Sequence, residues 1–330
     1  MSVSGWISNL VFFFLGFALL TIGAEFLVRG ASRLAARMKV SSVVIGLTIV
    51  AFGTSLPELL VSVVANLEGG GDIAIGNIVG SNIANLGLIL GVAAAMSIVN
   101  IERHLLRREL PLLAGTSVLF IVLSWNGRLG LVEGLILSAG LLAFTYVSYT
   151  SARTSPIQQQ ESESALEAAE SFDAGIGQAS TRPLRDIGFI LIGLMGLIIG
   201  ADWLVNAAES IARAVGVSEL VIGLTLVAIG TSLPELATTL AAVRKGEADL
   251  AVGNVVGSNL FNMLFIGGVS AIVRPLTVPP EVLRVDYWVM LGFTLAVLIA
   301  ALPKPHRLYR WEGALLLLGY AGYTAWLFIK

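Results

Sequence analysis

The sequence predicts an all-α polytopic membrane protein: ten transmembrane helices forming two inverted five-helix repeats, with broken helices at a candidate ion site. Three observations carry that expectation. The 330 residues are 56% hydrophobic and 13% charged, with a mean hydropathy of +0.87, more apolar surface than a water-soluble fold of this length can hide. Apolar runs recur at roughly the 17–25 residues a helix needs to cross about 30 Å of hydrocarbon. A stretch of 48 residues also occurs twice: residues 46–93 and 223–270 align without a gap and agree at 26 positions.

The apolar runs fall at 8–28, 41–66, 73–98, 109–125 and 129–149, then at 185–205, 218–243, 248–272, 285–302 and 312–328. The first lacks a basic leading stretch and a small-residue cleavage site, so it reads as a retained helix. The second holds GTSLPE and the third GNIVGSNIAN, while the fourth and fifth are almost uniformly apolar. Residues 150–184 are the one long polar segment, acidic from Glu161 to Asp173. They read as a solvated linker, too short for a binding domain of their own. The second set of runs repeats the order of the first. The expected organisation is a first five-helix repeat at 1–149, a cytoplasmic linker at 150–184 and a second, inverted repeat at 185–330.

Inversion follows from counting. Five crossings are an odd number, so the second half starts from the opposite face. Basic residues give the orientation: 15 of the 20 lie in one alternating set of loops and helix edges. That set includes Arg29–Lys39, Arg103–Arg108, Arg153–Arg185, Arg244–Lys245 and Lys304–Arg310. The positive-inside rule places these in the cytoplasm and both termini outside. Two similar halves inverted in a bilayer imply a pseudo-twofold axis in the membrane plane and a site near the midplane between them, the plan of many transporters.

The repeat also locates the chemistry. Glu58 and Glu235 stand at the same 177-residue offset, each after a proline inside a membrane-length apolar run. Pro57 and Pro234 lack an N–H, so nearby carbonyls lose helical partners. In hydrocarbon such carbonyls need protein, water or an ion. Thr54, Ser55, Thr231 and Ser232 add hydroxyls within one turn. Ser81 and Asn85, like Ser258 and Asn262, are four residues apart and share a helix face. Glycines at 76, 80, 253 and 257 fit the small-xxx-small spacing of close membrane helix packing. Together these are hard oxygen donors, suited to calcium or sodium and not to soft transition metals. The small polar residues could serve only as helix glue. The glutamates could not: a carboxylate at the bilayer centre costs roughly 2.5–3.5 kcal/mol, and no lysine or arginine lies in these runs.

Other features carry less. With no cysteine and only His104 and His306, both in predicted loops, thiolate sites are excluded and zinc catalysis or a histidine relay is disfavoured. Glu25 and Asp202 match across the repeat but read as structural helix-end residues, and Asp72 and Asp249 read as N-caps. Gly175-Ile176-Gly177 follows no strand and is no nucleotide loop.

With GTSLPE and GSNxxN in both halves, the chain resembles prokaryotic sodium/calcium exchangers of the cation/calcium antiporter superfamily over nearly its whole length. The resemblance implies an ion transporter, not an enzyme, exchanging several sodium ions for one calcium by alternating access in the bacterial inner membrane. It implies no cofactor, no nucleic acid and no obligate protein partner; the partners are calcium, sodium and the bilayer. Glu58 and Glu235 would be the central cation ligands. Thr54 and Thr231 would lend carbonyls, as would Ala51 and Ala228 to outer sodium positions. Ser55, Ser81, Ser232 and Ser258 would add side-chain oxygens, and Asn85 and Asn262 would line the centre. The first helix of each half would slide against a core holding the motifs. Where some relatives, including the potassium-dependent branch, carry aspartate, this chain has Asn262, which removes a charge and argues against potassium co-transport. A calcium/proton exchanger remains the alternative on the same architecture. A channel would need a continuous pore, and a membrane enzyme a nucleophile or metal cluster at membrane depth.

Overall fold

A computed structural model describes residues 3–38, 40, 42–152, 183–214 and 228–329. Most of the expected linker, and the start of the run at 218–243, lie outside the described residues. In chain order the elements are α1 (Val3–Met38), α2 (42–54), α3 (Leu56–Leu67), α4 (Gly71–Met96), β1 (Val99–Asn100), α5 (105–124), β2 (Arg128–Leu129) and α6 (Leu131–Ala152). The second half supplies α7 (Pro183–Ala214), α8 (Ala228–Thr231), α9 (Leu233–Arg244), α10 (Ala248–Val273), β3 (Leu276–Thr277), α11 (Val282–Ala301), β4 (Arg307–Leu308) and α12 (Arg310–Ile329).

Among the described residues six helices are long and apolar enough to cross a membrane, and α2 with α3 forms a seventh span bent by 44°. Large apolar side chains such as Phe14, Leu142, Ile192 and Leu318 face outward, an arrangement stable only against an apolar surrounding. The buried centre is α4 and α10, on which α2, α3 and α9 pack. The halves interlock. α6 lies along the C-terminal part of α10, and α12 along the corresponding part of α4. The strands do likewise: β1 pairs with β4, Val99 opposite Leu308, and β2 with β3, Arg128 opposite Thr277.

The most extensive helix pair is α1 with α7. It runs well beyond the 8–28 and 185–205 expected from hydropathy, because the polar turns through Arg37 and Ala214 continue the helix. The two backbones touch at glycines. A Cβ on Gly16 would stand 2.7 Å from the Gly200 carbonyl oxygen, and one on Gly193 would stand 2.5 Å from the Leu27 nitrogen. Gly16 and Gly193, like Gly23 and Gly200, are repeat mates, so the seam reads the same from either helix. Arg37 pairs with the buried Asp186 at its end.

The close approach expected at the GSN glycines holds in the second half, where Gly253 and Gly257 lie against Val43 and Leu47 of α2. Positions 220 and 224, the repeat mates of that contact on the other side, fall outside the described residues. The N-cap expectation is corrected. The caps are Gly70 and Glu247, and Asp72 and Asp249 sit in the first turns of α4 and α10, where the helix dipole still favours a carboxylate. Glu25 pairs with Arg29 at 3.7 Å and Lys245 at 3.1 Å, and Asp202 accepts a hydrogen bond from Asn206 at 2.9 Å. The helix-end placement expected of both is corrected, since each lies well inside its helix, which runs on past the apolar run.

Candidate ion-binding site

The proline motifs break the helices in a particular way. The chain leaves helical geometry at Ser55 (φ −85°, ψ 7°) and at Ser232 (φ −92°, ψ 7°), and a new helix starts one residue later. Pro57 and Pro234 therefore sit in a first turn, where the missing N–H has no partner to lose. The helix break expected at each proline takes the form of a restart. That restart places Glu58 and Glu235 in the first turns of α3 and α9, at the positive ends of two helix dipoles.

Both glutamates are fully buried, and no ion pair to either occurs among the described residues. Their hydrogen bonds cross between halves. Ser55 Oγ donates to Glu235 Oε1 at 3.2 Å, and Ser232 Oγ donates to Glu58 Oε1 at 3.2 Å. The other carboxylate oxygen of each, Oε2, has no hydrogen-bond partner among the described residues.

Four asparagines complete the centre in the same crossed fashion. Asn85 Nδ2 donates to Asn259 Oδ1, and Asn262 Nδ2 to Asn82 Oδ1, both at 3.3 Å. This leaves Oδ1 of Asn85 and of Asn262 buried without a hydrogen-bond donor among the described residues. Each of these two asparagines opens a wider π turn, Asn85–Ile89 and Asn262–Ile266, a distortion that often marks functional positions in helices. Four buried oxygens thus lack a proton donor, two of them carboxylate. Buried acceptors are costly unless something positive meets them, and a desolvated dication or several monocations would do so.

Around this centre the remaining sequence candidates divide. Ser81 and Ser258 are buried beside it, the Ser258 hydroxyl close to Glu235 but without a well-formed hydrogen bond among the described residues. Thr54 Oγ1 lies 3.4 Å from the Ala51 carbonyl oxygen and 3.4 Å from Asn254 Oδ1. The Ala51 carbonyl also accepts from Ser55 N at 3.0 Å, so in this conformation it serves the helix. Thr231 borders a cavity described below, and Ala228 opens α8. Sequence reasoning left out the braces. Asn77 Nδ2 donates to the Glu58 carbonyl at 3.2 Å and to Ser62 Oγ at 2.9 Å, while Asn254 Nδ2 donates to Thr239 Oγ1 at 3.3 Å. These tie α3 to α4 and α9 to α10. The signal was present, since Ser62 and Thr239 are hydroxyl residues at the 177-residue offset.

The family model for the sodium/calcium exchanger protein matches residues 8–150 and 186–329. The chain belongs to the sodium/calcium exchanger family. Its relatives include the sodium/calcium exchanger MaX1 of Methanosarcina acetivorans, 34% identical over 345 residues, covering 97% of this chain and 98% of that one. The inner membrane protein YrbG of Escherichia coli is 35% identical over 316 residues, 95% of this chain and 94% of that one. Among solved structures, the sodium-calcium exchanger NCX_Mj, soaked with zero Na+ and Ca2+, matches with a TM-score of 0.83 and 30% identity, over 97% of this chain and 99% of that one. As a sodium/calcium exchanger family member the chain is a multi-pass membrane protein and a transporter, not an enzyme.

Proposed function

We propose that this protein exchanges sodium for calcium by alternating access, with Glu58 and Glu235 as shared cation ligands. The observation that carries the reading is the pair of buried carboxylates held by serines of opposite halves, each keeping one oxygen without a hydrogen-bond donor. Two negative charges balance one calcium. Sodium ions spread over Thr54, Ser55, Ser81, Thr231, Ser232, Ser258 and the Ala51 and Ala228 carbonyls would compete for the same carboxylates, with Asn85 and Asn262 at the centre. An unneutralised pair resists occlusion in hydrocarbon, so the site crosses only when loaded, and that couples the two fluxes.

In this reading the bent pair α2–α3 counts as one span, and so does the run at 218–243, which ends in α8 and α9. The chain then crosses ten times as two inverted five-helix repeats, 1–149 and 185–330, with the linker 150–184 in the cytoplasm. Both termini are extracytoplasmic and the membrane is the inner membrane. The β1–β4 ribbon lies at the cytoplasmic face and β2–β3 at the opposite one.

Radiolabelled calcium uptake into sodium-loaded proteoliposomes tests the function. Uptake should require internal sodium and fail with choline. Uptake driven by a pH gradient and indifferent to sodium would instead place the protein among proton-coupled exchangers. Two further results are expected in the same assay. Omitting potassium should leave the rate unchanged, since Asn262 offers no third charge. Deleting residues 158–175 should leave transport largely intact in a well-inserted protein, and a large loss would overturn the linker assignment.

A further inference from the structure

One cavity lies beside the carboxylate site, and two of the candidate site residues, Ser81 and Thr231, help to line it. It measures about 390 Å³, and its described lining includes Asn77, Ser81 and Thr231 together with Asp286, Tyr320 and Tyr323. Asp286 is the one carboxylate among the described lining residues, which include no lysine, arginine or histidine. Its Oδ1 accepts a hydrogen bond from the Tyr323 hydroxyl at 2.9 Å. The carboxylate is therefore held at the wall of a cavity that Ser81 and Thr231 also line.

Asp286 has a repeat mate at the 177-residue offset, Glu109. Each ends a π turn, Val282–Asp286 or Leu105–Glu109, and each immediately precedes a long apolar helix. Their ends of the molecule differ. Asp286 follows β3, which lies beside Gly71 at the start of α4. Glu109 follows β1, which lies just past the end of α4 at Met96. The two carboxylates thus flank opposite ends of a helix of 26 residues, roughly 39 Å at 1.5 Å per residue.

Their surroundings differ as much. Glu109 is fully buried, and neither of its oxygens has a hydrogen-bond partner among the described residues. Arg108 Nε forms an ion pair with Glu109 Oε1 at 3.7 Å, too long for a hydrogen bond, and the His104 ring lies 3.9 Å away. A buried carboxylate whose ion pair is too long to be a hydrogen bond is only partly compensated, as a mouth residue would be when its mouth is closed.

We infer that Asp286 and Glu109 are the passage carboxylates of the two mouths, each drawing cations toward the central site when its own side is open. The inference rests on the alternating-access reading above. In this conformation the Asp286 side is open and the Glu109 side shut; the opposite conformation exchanges their environments.

The test is calcium uptake by oriented proteoliposomes, with calcium applied from one face at a time. Asp286→Asn should raise the half-saturating calcium concentration on the β2–β3 face by on the order of tenfold, the lower end of what a focused charge does to local ion concentration. It should leave the other face within about twofold and flatten the ionic-strength dependence on the affected side. Asp286→Glu should restore both. Glu109→Gln should do the reverse, acting on the β1–β4 face alone. The chain has no cysteine, so Asp286→Cys and Glu109→Cys add a readout independent of turnover: a membrane-impermeant cationic thiol reagent should modify each from its own face only. Equal kinetic effects on both faces, no effect on either, or labelling of both positions from one face would overturn the inference. If wild-type protein shows no exchange, the proposed function fails first. If it exchanges normally while these variants behave alike on both faces, only the passage assignment fails.

Discussion

Sodium-driven calcium uptake is expected to vanish in Glu58→Gln and in Glu235→Gln, while the protein remains folded. Removing one member of a buried charge constellation typically costs about 3–5 kcal/mol, roughly two to four orders of magnitude in affinity for the ion. The sign for stability is the opposite. Without ions, two buried carboxylates each carry an oxygen with no hydrogen-bond donor among the described residues, and glutamine removes half of that charge at little change in shape. The ion-free variant should therefore melt in detergent no lower than the wild type. The midpoint rise that calcium gives the wild type, which grows with ligand concentration over Kd, should be absent. Uptake in both variants near the wild-type rate would dismiss the site assignment; an ion-free melting point far below the wild type would show that the glutamates serve the fold instead.

The second large effect is expected at the α1–α7 seam. A single methyl at Gly193 meets the Leu27 nitrogen at 2.5 Å, and one at Gly23 meets the Gly193 carbonyl at 2.8 Å. These are backbone atoms and cannot turn aside, so Gly193→Ala and Gly23→Ala must push two long helices apart. Overpacking of this kind costs about 1–3 kcal/mol. If α1 and α7 slide as a pair against the motif-bearing core, the spread pair should also bind that core in the wrong register, and transport should fall more than stability does. Gly188 is the control, being on the same helix with no described atom within 4 Å of a Cβ. Gly188→Ala should be neutral or mildly stabilising, because alanine favours helix by about 1 kcal/mol over glycine. Thermal melting in detergent beside uptake at fixed protein density would separate the two. Equal tolerance of all three substitutions would mean that the helices are not in backbone contact during function.

What was legible in the sequence is what repetition and hydropathy encode. The offset joining Glu58 to Glu235 located the centre, and the prolines located the helix breaks. What stayed hidden has physical reasons. A repeat states that Ser55 and Ser232 are equivalent; it does not say that each serine reaches the opposite half's glutamate, since that depends on how the halves face each other. The π turns at Asn85 and Asn262 leave no mark in propensity, because a widened turn uses the same residues as an ordinary one. Hydropathy truncated α1 at residue 28, where arginines begin, although the helix continues to Met38. Asp72 has the composition of a cap and not its position, because Gly70 supplies the turn. Glu109 was placed at the start of an apolar run, but nothing in its neighbours showed that it would be sealed.

The crossed contacts at the centre have the symmetry of a twofold dimer: Ser55 of one half meets Glu235 of the other, and Ser232 meets Glu58. Such an isologous contact is complete only when both copies are present. Neither half therefore contains a weakened version of the site; each contains an unmatched serine and an unmatched acid. An ancestral single repeat could have worked only by inserting in both orientations and pairing with itself. On the same logic, a chain cut within residues 153–182 should regain transport when its two pieces are produced together, and neither piece should show any alone.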